Sequence, residues 1–493
     1  MLTTAAGVRP APVTTGLAAR GVVQGVVGRG FSFAFAYLAT IVLARWLGPA
    51  EYGVYGVIVS VLIWIQQTGR FTIPPAAAKL IPEDEIRSTA IEQTALFLGT
   101  LLFLFLFVLL WITAGPLAAL FGLSDDGANL FRIGALELPL FGVYAIYRGV
   151  LQGRHDFLAL SVADSLYAGA KLAAVVLLLG FWLSVSSALV ANVLASLGAL
   201  LFVISRISIN IRWPSPGAVT PLVHLALPLG LYMLALQTIT HLDLWSLKVL
   251  ALGEQPATIG LYVAARNVAI VPGVILMVVS DVLLPSLSRA LANTDTRLSR
   301  AYIQGAVRFL GILIAPLALV LMLGANDIMS LLYSGEFRTG GTYVKVLVLY
   351  AVALPFIDLF ASALSARGEP YLGGATLLLV IPLTAVLNVT LIGWYGPIGA
   401  AYSSALAGLS GAVILGVLVF RRFGPLVTRR TLLNMAVATT AMVFVARLFP
   451  VRDSLPAFAY IACLGTYSLT LVLLREVRRD DLEPLALWKW GFR

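Results

Sequence analysis

The chain alternates between long apolar runs and short polar connectors. From the N-terminus the runs cover approximately 22–46, 52–69, 93–114, 131–152, 161–182, 185–207, 225–250, 258–285, 302–325, 343–366, 371–393, 396–420, 431–449 and 456–474. Most approach the ~20 apolar residues that a helix needs to cross a hydrocarbon layer about 30 Å thick. Backbone inside lipid must satisfy its own hydrogen bonds, so runs of this length predict helices. The expected fold class is an all-α polytopic membrane protein with fourteen transmembrane helices. Two places strain the pattern. Gln66 and Gln67 enter the second run early, and almost no loop separates the fifth run from the sixth.

Composition agrees with this reading. Hydrophobic residues make up 60% of the 493 and charged residues only 11%, with a mean hydropathy of +0.96. Soluble domains hold about 25% charged residues, so the side chains needed to cover a soluble surface are missing. The net charge of +10 is read as basic residues kept on the cytoplasmic side rather than as a nucleic-acid surface. With the N-terminus inside, Arg45, Arg132, Lys248, Arg338, Lys345, Arg447 and Arg452 fall outside, and most of the other basic residues fall inside. Both termini are then cytoplasmic.

Several chemistries drop out. The lone Cys463 allows no disulfide framework. His155, His224 and His241 lack metal-ligand spacing, and no phosphate-binding G-x-x-x-x-G-K-[ST] loop is present. No connector is long enough for a catalytic domain. The expectation is a protein that is not an enzyme and uses no cofactor, no metal and no nucleic acid.

The sequence also echoes itself. Leu151-Gln-Gly-Arg154-His-Asp156 is matched by Leu364-Ser-Ala-Arg367-Gly-Glu369, and Leu47-Gly48…Gly53-Val-Tyr55 by Leu252-Gly253…Gly260-Leu-Tyr262. Runs one to six thus correspond to runs seven to twelve. Six is even, so the copies run the same way through the membrane, with their symmetry axis along the membrane normal. The expected organisation is a cytoplasmic tail over 1–20, six-helix bundles over 21–215 and 216–424, two further helices over 425–475 and a cytoplasmic tail over 476–493.

Some of these residues look familiar. Leu43-Ala-Arg45-Trp-Leu47-Gly48-Pro49-Ala-Glu51-Tyr52-Gly53, then Gly260-Leu-Tyr262-Val-Ala-Ala-Arg266, then Ala366-Arg367-Gly368, Asn388 and Tyr395-Gly396-Pro-Ile-Gly399-Ala-Ala401 follow one another in order. Together they resemble the Wzx-like oligosaccharide flippases, in the superfamily that also holds multidrug exporters and lipid II flippases. The resemblance spans roughly residues 20 to 475. It implies a bacterial inner-membrane protein that moves an isoprenoid-pyrophosphate-linked oligosaccharide to the outer leaflet by alternating access. It also implies contact with membrane lipids and work alongside a polysaccharide polymerase and glycosyltransferases. Two rivals remain in view: a cation-coupled multidrug exporter, and a polytopic glycan polymerase or ligase.

Charge inside the membrane costs about 2.5–3.5 kcal/mol on insertion scales, so each such residue needs a partner or a water-filled cavity. Arg29, Lys171 and Arg266 are the candidate substrate-binding cations, because a guanidinium fork suits phosphate oxygens. In the family, cationic residues on helices one and eight line such a cavity, where Arg29 and Arg266 fall. The rival reading makes Arg266 a structural partner of Asp243. Asp243, His241, Asp358 and Glu137 are candidates for ion coupling or structural ion pairs. Asp164 is read as solvated at the cytoplasmic mouth. Pro139, Pro272, Pro316, Pro355 and Pro382 each remove a backbone donor and permit kinks.

Overall fold

The computed structural model describes residues 15–84, 86–124, 126–207, 212–251, 256–276, 287, 291, 296–448 and 457–476. The expected tails before residue 15 and beyond 476, and the stretch of run eight past 276, lie outside them. Among the described residues every regular element is helical. Twelve stretches there are long and apolar enough to cross a membrane. The first, Gly30–Glu83, takes in the second predicted run and the first from residue 30 onward, and the shorter Phe458–Leu473 falls in the last predicted one. All fourteen crossings therefore have a helical counterpart.

The first two crossings form one kinked element, α1 (Thr15–Arg70). The break is at Gly48, whose φ of 71° lies in the left-handed region that glycine enters without a side-chain penalty. Pro49 restarts the helix where its missing N–H costs nothing. After α2 (Ile73–Glu83) and α3 (Ser88–Leu120), the fourth crossing is split into α4 (Gly127–Ala135) and α5 (Glu137–Gly153). Next come α6 (Phe157–Phe181), α7 (Val185–Arg206) and α8 (Pro216–Leu250). The eighth crossing is again split, into α9 (Pro256–Ala269) and α10 (Val271–Leu276). Pro139 and Pro272 each lie in the first turn after such a split, where a missing amide is tolerated. Pro316, Pro355 and Pro382 instead sit inside continuous helices.

The remaining elements are α11 (Thr296–Leu323), α12 (Ala325–Leu332), a 3₁₀ turn Gly335–Gly340, α13 (Gly341–Ala366), α14 (Pro370–Tyr395), α15 (Pro397–Phe423), α16 (Arg429–Leu448) and α17 (Ala457–Leu473). The apolar-run pattern does not reveal α2, α12 or the 3₁₀ turn, which are too short to show as crossings. The kinked α1 packs against α6 and α9, α13 against α15, and α16 against α17. One buried cluster joins Leu43, Tyr52, Tyr262 and Tyr333 from distant parts of the chain. Large apolar side chains such as Phe105, Ile112, Leu177 and Leu378 are exposed. That inversion of the soluble rule is expected where lipid tails are the solvent.

Candidate functional site

A polar cavity of about 770 Å³ lies between α1, α2, α5 and α6. The last turn of α1 and the residue after it bring Gln67, Arg70 and Phe71 to one wall. Tyr144 and Arg148 come from α5, Asp164 and Tyr167 from α6. Val274 of α10 completes the lining from the second half of the chain.

The two cations differ. Arg148 forks onto Asp164, with Nε 2.5 Å from Oδ1 and Nη2 2.6 Å from Oδ2. Tyr144 adds its hydroxyl to Oδ1 at 2.8 Å, and its ring stacks on Tyr167 at 5.7 Å. Asp164 is therefore half-buried in a bidentate pair rather than free in solvent, which corrects its expected place. Its carboxylate cannot be left bare so near apolar walls, and the planar fork of Arg148 satisfies both oxygens. The guanidinium of Arg70 lies 5.8 Å from the ring centre of Phe71 and has no ion-pair partner among the described residues. It feels the field of Asp164 only from further off. The cavity thus holds one compensated and one uncompensated cation.

A second cluster centres on Asp243 of α8, which is 4% exposed. Its oxygens accept from the Leu244 amide at 2.7 Å, the Tyr262 hydroxyl at 2.7 Å and the Ser404 hydroxyl at 2.8 Å. Arg266 stands 3.7 Å away and also donates to the carbonyl of Thr240. The rival reading of Arg266 as the partner of Asp243 thus has a geometric counterpart. Neither Arg266 nor Lys171 is among the residues lining the 770 Å³ cavity. His241 is buried against Trp245, with ring centres 5.9 Å apart, and neither of its nitrogens has a hydrogen-bond partner among the described residues.

The other predicted residues are dispersed. Glu137 opens α5 at 2% exposure and accepts from Tyr167 and Ser196, each at 3.0 Å. Lys171 is half-buried and acts electrostatically on Glu137. Asp358 is half-buried on α13 and acts on Tyr232 of α8. Arg29 belongs to α1, but its side chain is outside the described residues. Sequence reasoning missed Arg70 and Arg148 as site residues, because both sit at run ends and read as cytoplasmic anchors. The signal was the early polarity of Gln66 and Gln67, which marks a wet face one turn before Arg70.

At the opposite end of these helices the halves are in close contact. Arg45 donates to the carbonyls of Leu331 and Leu332 at the end of α12. Tyr52 packs against Tyr333 and Phe337 with ring centres 6.4 and 6.1 Å away. The model of the polysaccharide biosynthesis protein family matches residues 18–291, more than half of the chain. The chain belongs to that family. Its fold is shared with a lipid II flippase, MurJ, in an inward closed conformation, at TM-score 0.77 and 16% identity over 93% of this chain and 99% of that one. A multidrug resistance MATE family transporter of the MOP superfamily, inward-facing, gives 0.68 and 14% over 82% and 98%. A MOP superfamily transporter from Pyrococcus furiosus gives 0.63 and 14% over 84% and 99%. At such identities the likenesses establish the fold alone. No curated protein matches the chain.

Proposed function

We propose that this family member is a flippase of the inner membrane that moves an isoprenoid-pyrophosphate-linked oligosaccharide to the outer leaflet. The observation that carries the reading is Arg70, an uncompensated cation on the wall of a large cavity beside Arg148. A pyrophosphate supplies the missing negative charge, and both guanidinium forks suit its oxygens. Phe141, Tyr144 and Tyr167 add an aromatic part to the same wall. Arg29 precedes Ser32, Phe33 and Ala36, which line the cavity, by a helical three, four and seven residues. On this register Arg29 is proposed as a further phosphate contact. Lys171 and Arg266 are proposed to act later in the transport cycle, with Asp243, His241, Glu137 and Asp358 as the coupling or pairing groups around them.

Alternating access needs one end closed while the other is open. The packing of Tyr52, Tyr333, Phe337 and Arg45 supports a state sealed at the outer end. A multidrug exporter fits less well, because its cationic cargo would meet Arg70 while Asp164 is already occupied by Arg148.

The test is transport by the purified protein in sealed vesicles. Glycans on an isoprenoid pyrophosphate are expected to reach the far leaflet, and the same glycans on a neutral lipid are not. Efflux of cationic dyes with no movement of the pyrophosphate-linked glycan would replace this reading with the exporter one.

A further inference from the structure

A second polar pocket, of about 310 Å³, lies far along the sequence from the first. It is walled by α11, the α15–α16 connector, the start of α16 and the end of α17. Arg308, Arg430, Arg475 and Glu476 bring its charge, and Gln304, Thr428 and Thr431 its neutral polar groups. The walls are tied together. Gln304 donates to the Pro425 carbonyl at 2.6 Å, and Arg300 to the Phe423 carbonyl at 2.5 Å. Gly424 turns the connector with a φ of 84°.

The single carboxylate is already engaged. Glu476 accepts from Thr431 and Asn434, each at 2.7 Å. Burial alone would push its carboxyl up. The two hydrogen bonds and the field of Arg308 and Arg430 outweigh that and hold it below the usual carboxylate range. Arg430 and Arg475 remain exposed, and neither guanidinium has a hydrogen bond or ion pair among the described residues. The pocket is left with an excess of positive charge.

Exposed apolar side chains flank the pocket. Leu432 and Leu433, two and three residues after Arg430, are 57% and 66% exposed. Val472 and Leu473, just before Arg475, are 57% and 72% exposed. These exposed apolar side chains lie within three residues of the cations, on the two crossing helices whose ends carry Arg430 and Arg475. Phosphate oxygens at the cations and acyl chains on the apolar side chains match this arrangement, and a free anion would use only the first part of it. We propose that the pocket binds the phosphate headgroup of an anionic phospholipid and pins α16 and α17 to α11. Basic pockets between helices at a membrane surface act in this way. The proposal does not depend on the cargo of the larger cavity.

The test is thermal unfolding of the full-length detergent-solubilised protein, titrated with phosphatidylglycerol, phosphatidylcholine or inorganic phosphate. Phosphatidylglycerol is expected to raise the melting temperature saturably, as a ligand of the folded state does, and the other two are not. Arg430→Gln/Arg475→Gln should need at least about tenfold more phosphatidylglycerol for the same shift, the loss expected for one charge-assisted contact or more. Both side chains are exposed, so the variant should fold, and Arg430→Lys/Arg475→Lys should recover most of the affinity. An equal response to phosphatidylcholine or to inorganic phosphate, or an unchanged response in the Gln variant, would overturn the site.

Discussion

Gly53 and Gly260 meet backbone to backbone where α1 crosses α9. A β-carbon on Gly53 would stand 2.6 Å from the Pro256 carbonyl oxygen and 2.8 Å from the Gly260 amide, and one on Gly260 would collide with the Pro49 carbonyl. The two glycines hold matching places in the sequence echo, so the contact joins equivalent points of the two halves. Small residues let helices approach in this way inside a membrane. Gly260→Ala is expected to destabilise the protein by about 1–3 kcal/mol, the usual range for overpacking. Gly393→Ala, where a β-carbon meets nothing within 4 Å, should be neutral or slightly stabilising. Melting temperatures of the two variants check this, and an undisturbed Gly260→Ala would mean that the crossing is loose.

Asp243 and Arg266 form a buried pair, and breaking one side should cost more than removing both. Asp243→Ala or Arg266→Ala alone is expected to lose about 3–5 kcal/mol, because a buried charge is left unpaired. The double variant should recover most of that loss in membrane abundance. If it recovers abundance but not flipping, Arg266 also has a role in transport. If neither single variant loses abundance, the pair is not structural.

The crossings were legible because about 20 apolar residues leave only one arrangement of backbone in lipid. The breaks were partly legible. Gly48-Pro49 and the prolines 139 and 272 mark them, but a proline permits a kink without specifying one, and Pro316, Pro355 and Pro382 stay within helices. The site was least legible. Intramembrane charges drew attention to Arg266, Lys171 and Glu137, whereas the described cavity is lined by Arg70 and Arg148 at run ends. A basic residue at a run end has the same sequence signature whether it anchors in headgroups or turns into a cavity. Only the packing of α1, α2, α5 and α6 separates the two. The Asp164–Arg148 pair was hidden for a similar reason, since its partners belong to different helices with no fixed spacing between them.

The orientation has a direct check. Both termini are expected to be cytoplasmic, given the distribution of Lys and Arg along the chain. A reporter fused after Arg493 that works only in the cytoplasm should be active, and one that works only in the periplasm should be silent. The opposite pattern would require an odd number of crossings.

The most direct measurement of the central claim is flipping by Arg70 variants in vesicles at equal protein levels, titrated with the isoprenoid-pyrophosphate-linked glycan. Arg70 is the uncompensated cation of the cavity, and a lost charge-assisted contact costs about 1.5–3 kcal/mol. Arg70→Ala should therefore weaken the apparent affinity roughly 10- to 150-fold, while melting like the wild type. Arg70→Lys keeps the charge without the fork and should fall between the two. An Arg70→Ala protein that flips the glycan with wild-type affinity and rate would contradict the assignment of this cavity to the pyrophosphate.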